Sequence, residues 1–167
     1  YQDGPLSTPQ AGSLTRVTRL DRAGRVLAQY AYPLGAIASA PAPGKNADNG
    51  VSEILAINEH QLLVIERAGV EDAQGNYQNH VRLYEIDTVG ASDIGQLAAL
   101  AGAKLVPLKK RLVLDLATLG LARLDNIEGI AWGPRLANGH QSLVLISDDN
   151  FNPAQVTQLL AFEVVPK

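Results

Sequence analysis

Two stretches decide the fold class. The first is Gly50-Val51-Ser52-Glu53-Ile54-Leu55-Ala56, followed by a turn at Asn58-Glu59-His60 and the apolar run Gln61-Leu62-Leu63-Val64-Ile65-Glu66-Arg67. A short strand, a turn and a strongly apolar strand are the reading. A polar loop then runs to Asn79, His80 opens a third strand ending at Asp87, residues 93–103 form a short helix or a loop, and residues 106–116 form a fourth strand. The second stretch repeats this order. Asn126-Ile127-Glu128-Gly129-Ile130-Ala131-Trp132 is the short strand, 134–139 the turn, 142–147 the apolar strand, 148–155 a polar loop and 157–164 the third strand.

Glu53 and Glu128 are aligned by this repeat, 75 residues apart. That period exceeds the ~40–50 residues of common propeller repeats, and two long loops account for the excess. Upstream, residues 14–20 alternate apolar and polar, Asp21-Arg22-Ala23-Gly24 is turn chemistry, and 25–32 complete a hairpin. Residues 33–49 hold three prolines and two glycines and read as a connection.

Repeated four-strand units predict an all-β fold, a β-propeller of which this chain supplies about two and a half blades. Residues 1–49 are a partial blade and connection, 50–120 a blade, and 121–167 an incomplete final blade. A β-sandwich also shows short strands at regular spacing and is the rival. Two and a half blades leave open strand edges. The expected partner is therefore the N-terminal part of the same propeller, on another fragment or chain. The absence of methionine points the same way, to a processed or partial chain.

Composition narrows the function classes. A net charge of −3 argues against a nucleic-acid partner, which needs a clustered basic face. The densest basic run, Lys109-Lys110-Arg111, reads as a solvated strand edge. No cysteine means no disulfide, thiolate nucleophile or Cys-ligated zinc. No apolar run reaches the ~20 residues of a membrane span. Neither a G-x-S-x-G elbow nor a phosphate-binding glycine loop is present.

The oxygen-rich stretches carry the chemistry. Asp125-Asn126-Ile127-Glu128-Gly129 and Ser147-Asp148-Asp149-Asn150-Phe151-Asn152 offer the hard donors that calcium and magnesium prefer. The same Asp and Asn residues are also natural turn formers. Glu53 and Glu128, on inner strands, are candidate catalytic carboxylates facing a shared substrate or ion. Arg67 is a candidate for binding an anionic substrate, or else pairs with a carboxylate. His60, His80 and His140 lack metal-ligand spacing, and Trp132 reads as core.

Gly50-Val51-Ser52-Glu53-Ile54, Leu63-Val64-Ile65-Glu66-Arg67, Val81-Arg82-Leu83-Tyr84-Glu85-Ile86-Asp87, Asp125-Asn126-Ile127-Glu128-Gly129-Ile130-Ala131 and Ser147-Asp148-Asp149-Asn150-Phe151-Asn152 resemble the phytase-like family described by an esterase-like activity of phytase. The ending Thr157-Gln158-Leu159-Leu160-Ala161-Phe162-Glu163 is similar too. The resemblance implies the C-terminal half of a propeller domain, six-bladed when complete, in a periplasmic or secreted setting. It also implies a calcium-dependent hydrolase of phosphate or other esters, with Glu53, Asn126, Glu128 and Asp148 or Asp149 as metal ligands. The alternative is a non-catalytic propeller that binds a small molecule or protein through the loops 68–79 and 88–104, with calcium purely structural.

Overall fold

A computed structural model describes residues 3–165. Their strands form three antiparallel sheets in chain order. β1 (Ser13–Leu20) and β2 (Val26–Leu34) make a hairpin. A four-stranded meander follows, built from β3 (Ala47–Ala56), β4 (Gln61–Glu71), β5 (Tyr77–Asp87) and β6 (Lys109–Asp115). The third sheet contains β7 (Ile127–Trp132), β8 (Gln141–Ser147) and β9 (Leu159–Val164). Among the described residues no helix is long and apolar enough to cross a membrane.

β4 explains how the sheets are held. Its run is apolar almost throughout because both faces are covered. Val64 packs with Tyr32, Leu34, Ile86 and Leu108 toward the hairpin. Leu63 and Ile65 join Val81, Leu83, Ile127 and Leu145 toward the third sheet. Each such side chain contributes about 1.5–3 kcal/mol when fully buried. The middle sheet is thus clamped from both sides.

The third sheet meets the second most closely along their first strands, β7 against β3. Ser52 Oγ donates to the Ile127 carbonyl at 3.3 Å, and Trp132 Nε1 donates to the Ala56 carbonyl at 3.0 Å. Trp132 is therefore a fastener at one end of this seam, its indole half-buried against the core.

Both first strands carry a bulge, and the bulges correct the repeat. In β3, Val51 pairs with Glu66 and Glu53 with Ile65, leaving Ser52 as the extra residue. In β7, Ile127 pairs with Ser147 and Gly129 with Ile146, leaving Glu128 extra. Ser52 is therefore the counterpart of Glu128, and Glu53 the counterpart of Gly129. A bulged residue leaves the alternation of its strand, so matching glutamate to glutamate misaligned the units by one residue. Gly129 is required here, because a Cβ would lie 2.7 Å from Ile146 Cγ2.

Two further expectations change, and one pair of alternatives is decided. The loop expected over 68–79 is mostly strand, with β4 and β5 joined by a tight turn at Asp72. Asp72 accepts from the amides of Gln74 and Asn76, and Gly75 takes φ +87°. Polar Gln78 and Asn79 hid the strand from its periodicity. Residues 93–103 form no helix, yet they bury Ile94 and Leu100 against Ala31. The basic run is not a uniform solvated edge: period-2 alternation turns Lys110 inward, onto Glu66, while exposed Arg111 pairs with half-buried Glu85.

That inward lysine closes a buried polar cluster between the first two sheets. Glu66 is 3% exposed and accepts from Tyr32 Oη at 2.5 Å, from the Gly35 amide at 3.3 Å and from Lys110 Nζ. Lys110 Nζ also donates to the Pro33 carbonyl and lies 3.9 Å from the Tyr84 ring centroid. Burial pulls the Lys110 ammonium below its ordinary value, partly offset by Glu66. Burial and the Glu66 charge push Tyr32 upward.

Candidate functional site

Arg67, within β4, and Glu128, on the β7 bulge, face each other across the seam. Arg67 Nη2 lies 3.4 Å from Glu128 Oε1, with the two side chains 24% and 36% exposed. A charge-assisted hydrogen bond is normally 2.7–2.9 Å, so this is a loose ion pair. Pairs this exposed contribute about 0–1 kcal/mol. The fold does not depend on it.

The pair stands between two recesses. One of about 550 Å³ is lined by Ser7, Asn49, Gly50, Ser52 and the pair itself. The other, about 970 Å³, is lined by Arg67, Glu128, Asn126, His80, Asn150 and Asn152 among others. The β7 bulge explains the position of Glu128. Leaving the alternation frees its carboxylate from the core beneath Ile127 and presents it at the seam.

Much of the polar lining is engaged in holding its own loops. Asp125, 2% exposed, accepts from the amides of Asn126 and Val156 at 2.9 and 2.8 Å, and pairs with Arg123 at 2.8 Å. Burial alone would raise its carboxyl, but those amides, Arg123 and the Gln155 amide outweigh burial and hold it below the ordinary value. Asp148 Oδ1 accepts from the Asn150 amide, and Asp149 accepts from the Phe151 amide and Thr157 Oγ1. These are Asx-turns, the turn-forming role open to both residues in the sequence.

Unused hydrogen-bonding capacity collects elsewhere. Arg67 Nε and His80 Nε2 are buried without a partner among the described residues. Such vacancies are rare in folded proteins and call for an explanation. Asn126 is 5% exposed, and its backbone is satisfied by Asp125 Oδ1 and the Asp148 amide. Its carboxamide has no partner among the described residues and lines the larger recess. His80 is held below its ordinary value, first by burial and then by Arg82.

The remaining expected residues lie apart. Glu53 is exposed, accepts from the Ile54 amide at 3.0 Å, and lines a different recess with Val17, Leu34 and Ile54. Arg67, Asn126 and Glu128 line one recess; Asp148 touches Asn126 through its backbone amide, and neither it, Asp149 nor Glu53 lines that recess. Of the expected calcium ligands, Asn126 and Glu128 line one recess and Glu53 lines another. No three His, Asp or Glu side chains among the described residues could hold a metal ion. Sequence reasoning missed the vacant His80 and the buried Glu66–Lys110 pair; only the alternation of the basic run signals the latter.

A family model described as phytase-like, esterase-like activity of phytase, matches residues 1–151. The chain belongs to the phytase-like family. Nothing among curated proteins or solved structures matches it. The matched span of this phytase-like chain includes Arg67, Asn126 and Glu128. The family description points to a hydrolase-related function.

Proposed function

We propose that the three sheets are successive blades of a β-propeller, and that the Arg67–Asn126–Glu128 recess binds and hydrolyses a phosphate or other anionic ester. The propeller reading is supported by a hairpin and two antiparallel meanders in succession, the two meanders meeting along β3 and β7. The third sheet repeats the order of the first three strands of the second, β7-β8-β9 against β3-β4-β5. The remaining strands and blades would come from the N-terminal part of the propeller, on another fragment or chain. A periplasmic or secreted setting belongs to the same reading.

One observation carries the functional part. A buried guanidinium Nε with no partner among the described residues belongs to the arginine that lines a recess with Asn126, whose carboxamide makes no hydrogen bond among those residues. Arg67 N–H groups donate to the substrate's anionic oxygens, as a planar guanidinium does well. The Asn126 amide donates to the oxygen that gains charge as the bond breaks. Glu128 accepts a proton from water as the water oxygen bonds to the ester's phosphorus or acyl carbon, the bond to the ester oxygen breaks, and the protonated Glu128 or solvent returns a proton to the departing alcohol. For calcium, Asn126 and Glu128 are oxygen donors at the recess, and an ion there would need roughly four to six more.

Calorimetric titration of the 167-residue chain with inorganic phosphate, with and without calcium, tests the reading. Saturable binding that Arg67→Ala abolishes, in a variant that still unfolds cooperatively, is the expected result. Equal binding by wild type and variant would remove Arg67 from the site.

A further inference from the structure

Phe151 is 101% exposed, the most exposed large apolar residue among those described. It stands at the tip of the turn after β8 with φ +53°, directly after Asn150 at φ +50°. Two consecutive non-glycine residues in the left-handed region are uncommon, and a bulky aromatic there is an outlier. The turn is nonetheless firmly built. Asp149 Oδ1 accepts from the Phe151 amide at 2.9 Å, Asn150 Nδ2 donates to Gln155 Oε1 at 3.2 Å, and Asn152 Oδ1 accepts from the Ala154 amide at 2.9 Å. The ring itself packs on nothing that would repay the strained backbone. Its two sequence neighbours, Asn150 and Asn152, both line the larger recess beside Arg67 and Asn126.

An isolated exposed apolar side chain needs no special account. A strained and hydrogen-bonded turn that holds one out beside a recess does, because such strain is characteristic of ligand-contacting sites. We infer that Phe151 is a specificity residue: its ring covers the flat apolar face of an ester whose anionic group sits at Arg67. The substrate class is thereby narrowed to anionic esters carrying an aromatic or ring-shaped group. This rests on the recess being the ester site proposed above.

The test compares Phe151→Ala, Phe151→Gly and Phe151→Tyr with wild type, using 4-nitrophenyl phosphate, an alkyl phosphate and inorganic phosphate. Loss of one stacking contact should raise KM for the aryl ester about five-fold in the Ala and Gly variants, with kcat held. The alkyl ester KM and the inorganic phosphate Kd should not move, and Tyr should restore the aryl KM. Glycine suits a positive φ, so Phe151→Gly should melt no lower than wild type, which separates recognition from stability. An unchanged aryl KM, with phosphate still bound through Arg67, overturns the role of Phe151 alone. Absence of phosphate binding in every form overturns the recess and this inference together.

Discussion

Arg67 Nη2 and Glu128 Oε1 lie 3.4 Å apart across the seam between two sheets, joining β4 of one to the bulge of the other. The pair is loose and partly exposed, while Arg67 Nε behind it is buried and has no partner among the described residues. This arrangement leaves a guanidinium available to an anion and a carboxylate available to a proton.

Asn126 provides the sharpest separation of function from stability. Its carboxamide makes no hydrogen bond among the described residues. Asn126→Ala should change unfolding free energy by less than about 1 kcal/mol, since no bonded partner is orphaned. Phosphate affinity should nevertheless fall several-fold. Urea denaturation alongside calorimetry reads both; a large stability loss with unaltered binding would make Asn126 structural.

Lys110 is the opposite case. It neutralises a glutamate that is 3% exposed. Removing one partner of a buried pair typically costs about 3–5 kcal/mol. Lys110→Met should therefore lower stability by roughly that amount, loosening the hairpin from the middle sheet, with phosphate affinity unaffected if the chain stays folded. Denaturant midpoints and hydrogen exchange at Tyr32 and Leu34 would show it.

Asp125 gives the acid limb. Its folded carboxyl is held below the ordinary value of 3.8, so the unfolded chain binds its proton first as pH falls. Its stabilisation is full above the unfolded value and is lost as pH drops through the lowered folded one. Asp125→Asn should cost about 2 kcal/mol near neutral pH, through weakened bonds to the amides and Arg123. It should also flatten the loss of stability in that acid window. Urea midpoints across the range check both; parallel curves for variant and wild type would contradict the assignment.

What was legible in the sequence follows from which signals are local. The apolar run Leu62–Ile65 of β4 and the alternation of β1 announce themselves, because burial on two faces or one writes directly into residue order. The β7 bulge does not. It inserts a residue without changing composition, so Glu53 looked like the mate of Glu128 when Ser52 is. Arg67, Asn126 and Glu128 were each visible as polar residues at strand ends. Their convergence was not, since it depends on how two sheets meet. Asp148 and Asp149 had two readings of equal standing, and local backbone hydrogen bonds chose the turn.

Glu128 is the group whose removal tests the recess most directly. The measurement is steady-state hydrolysis of 4-nitrophenyl phosphate by wild type and Glu128→Gln, with phosphate affinity and melting temperature recorded on the same samples. If Glu128 takes the proton from water, kcat falls by at least about 100-fold. Phosphate binds as well or better once the carboxylate beside Arg67 is neutral, and melting is unchanged because the pair holds little of the fold. Undiminished kcat in Glu128→Gln would contradict the account.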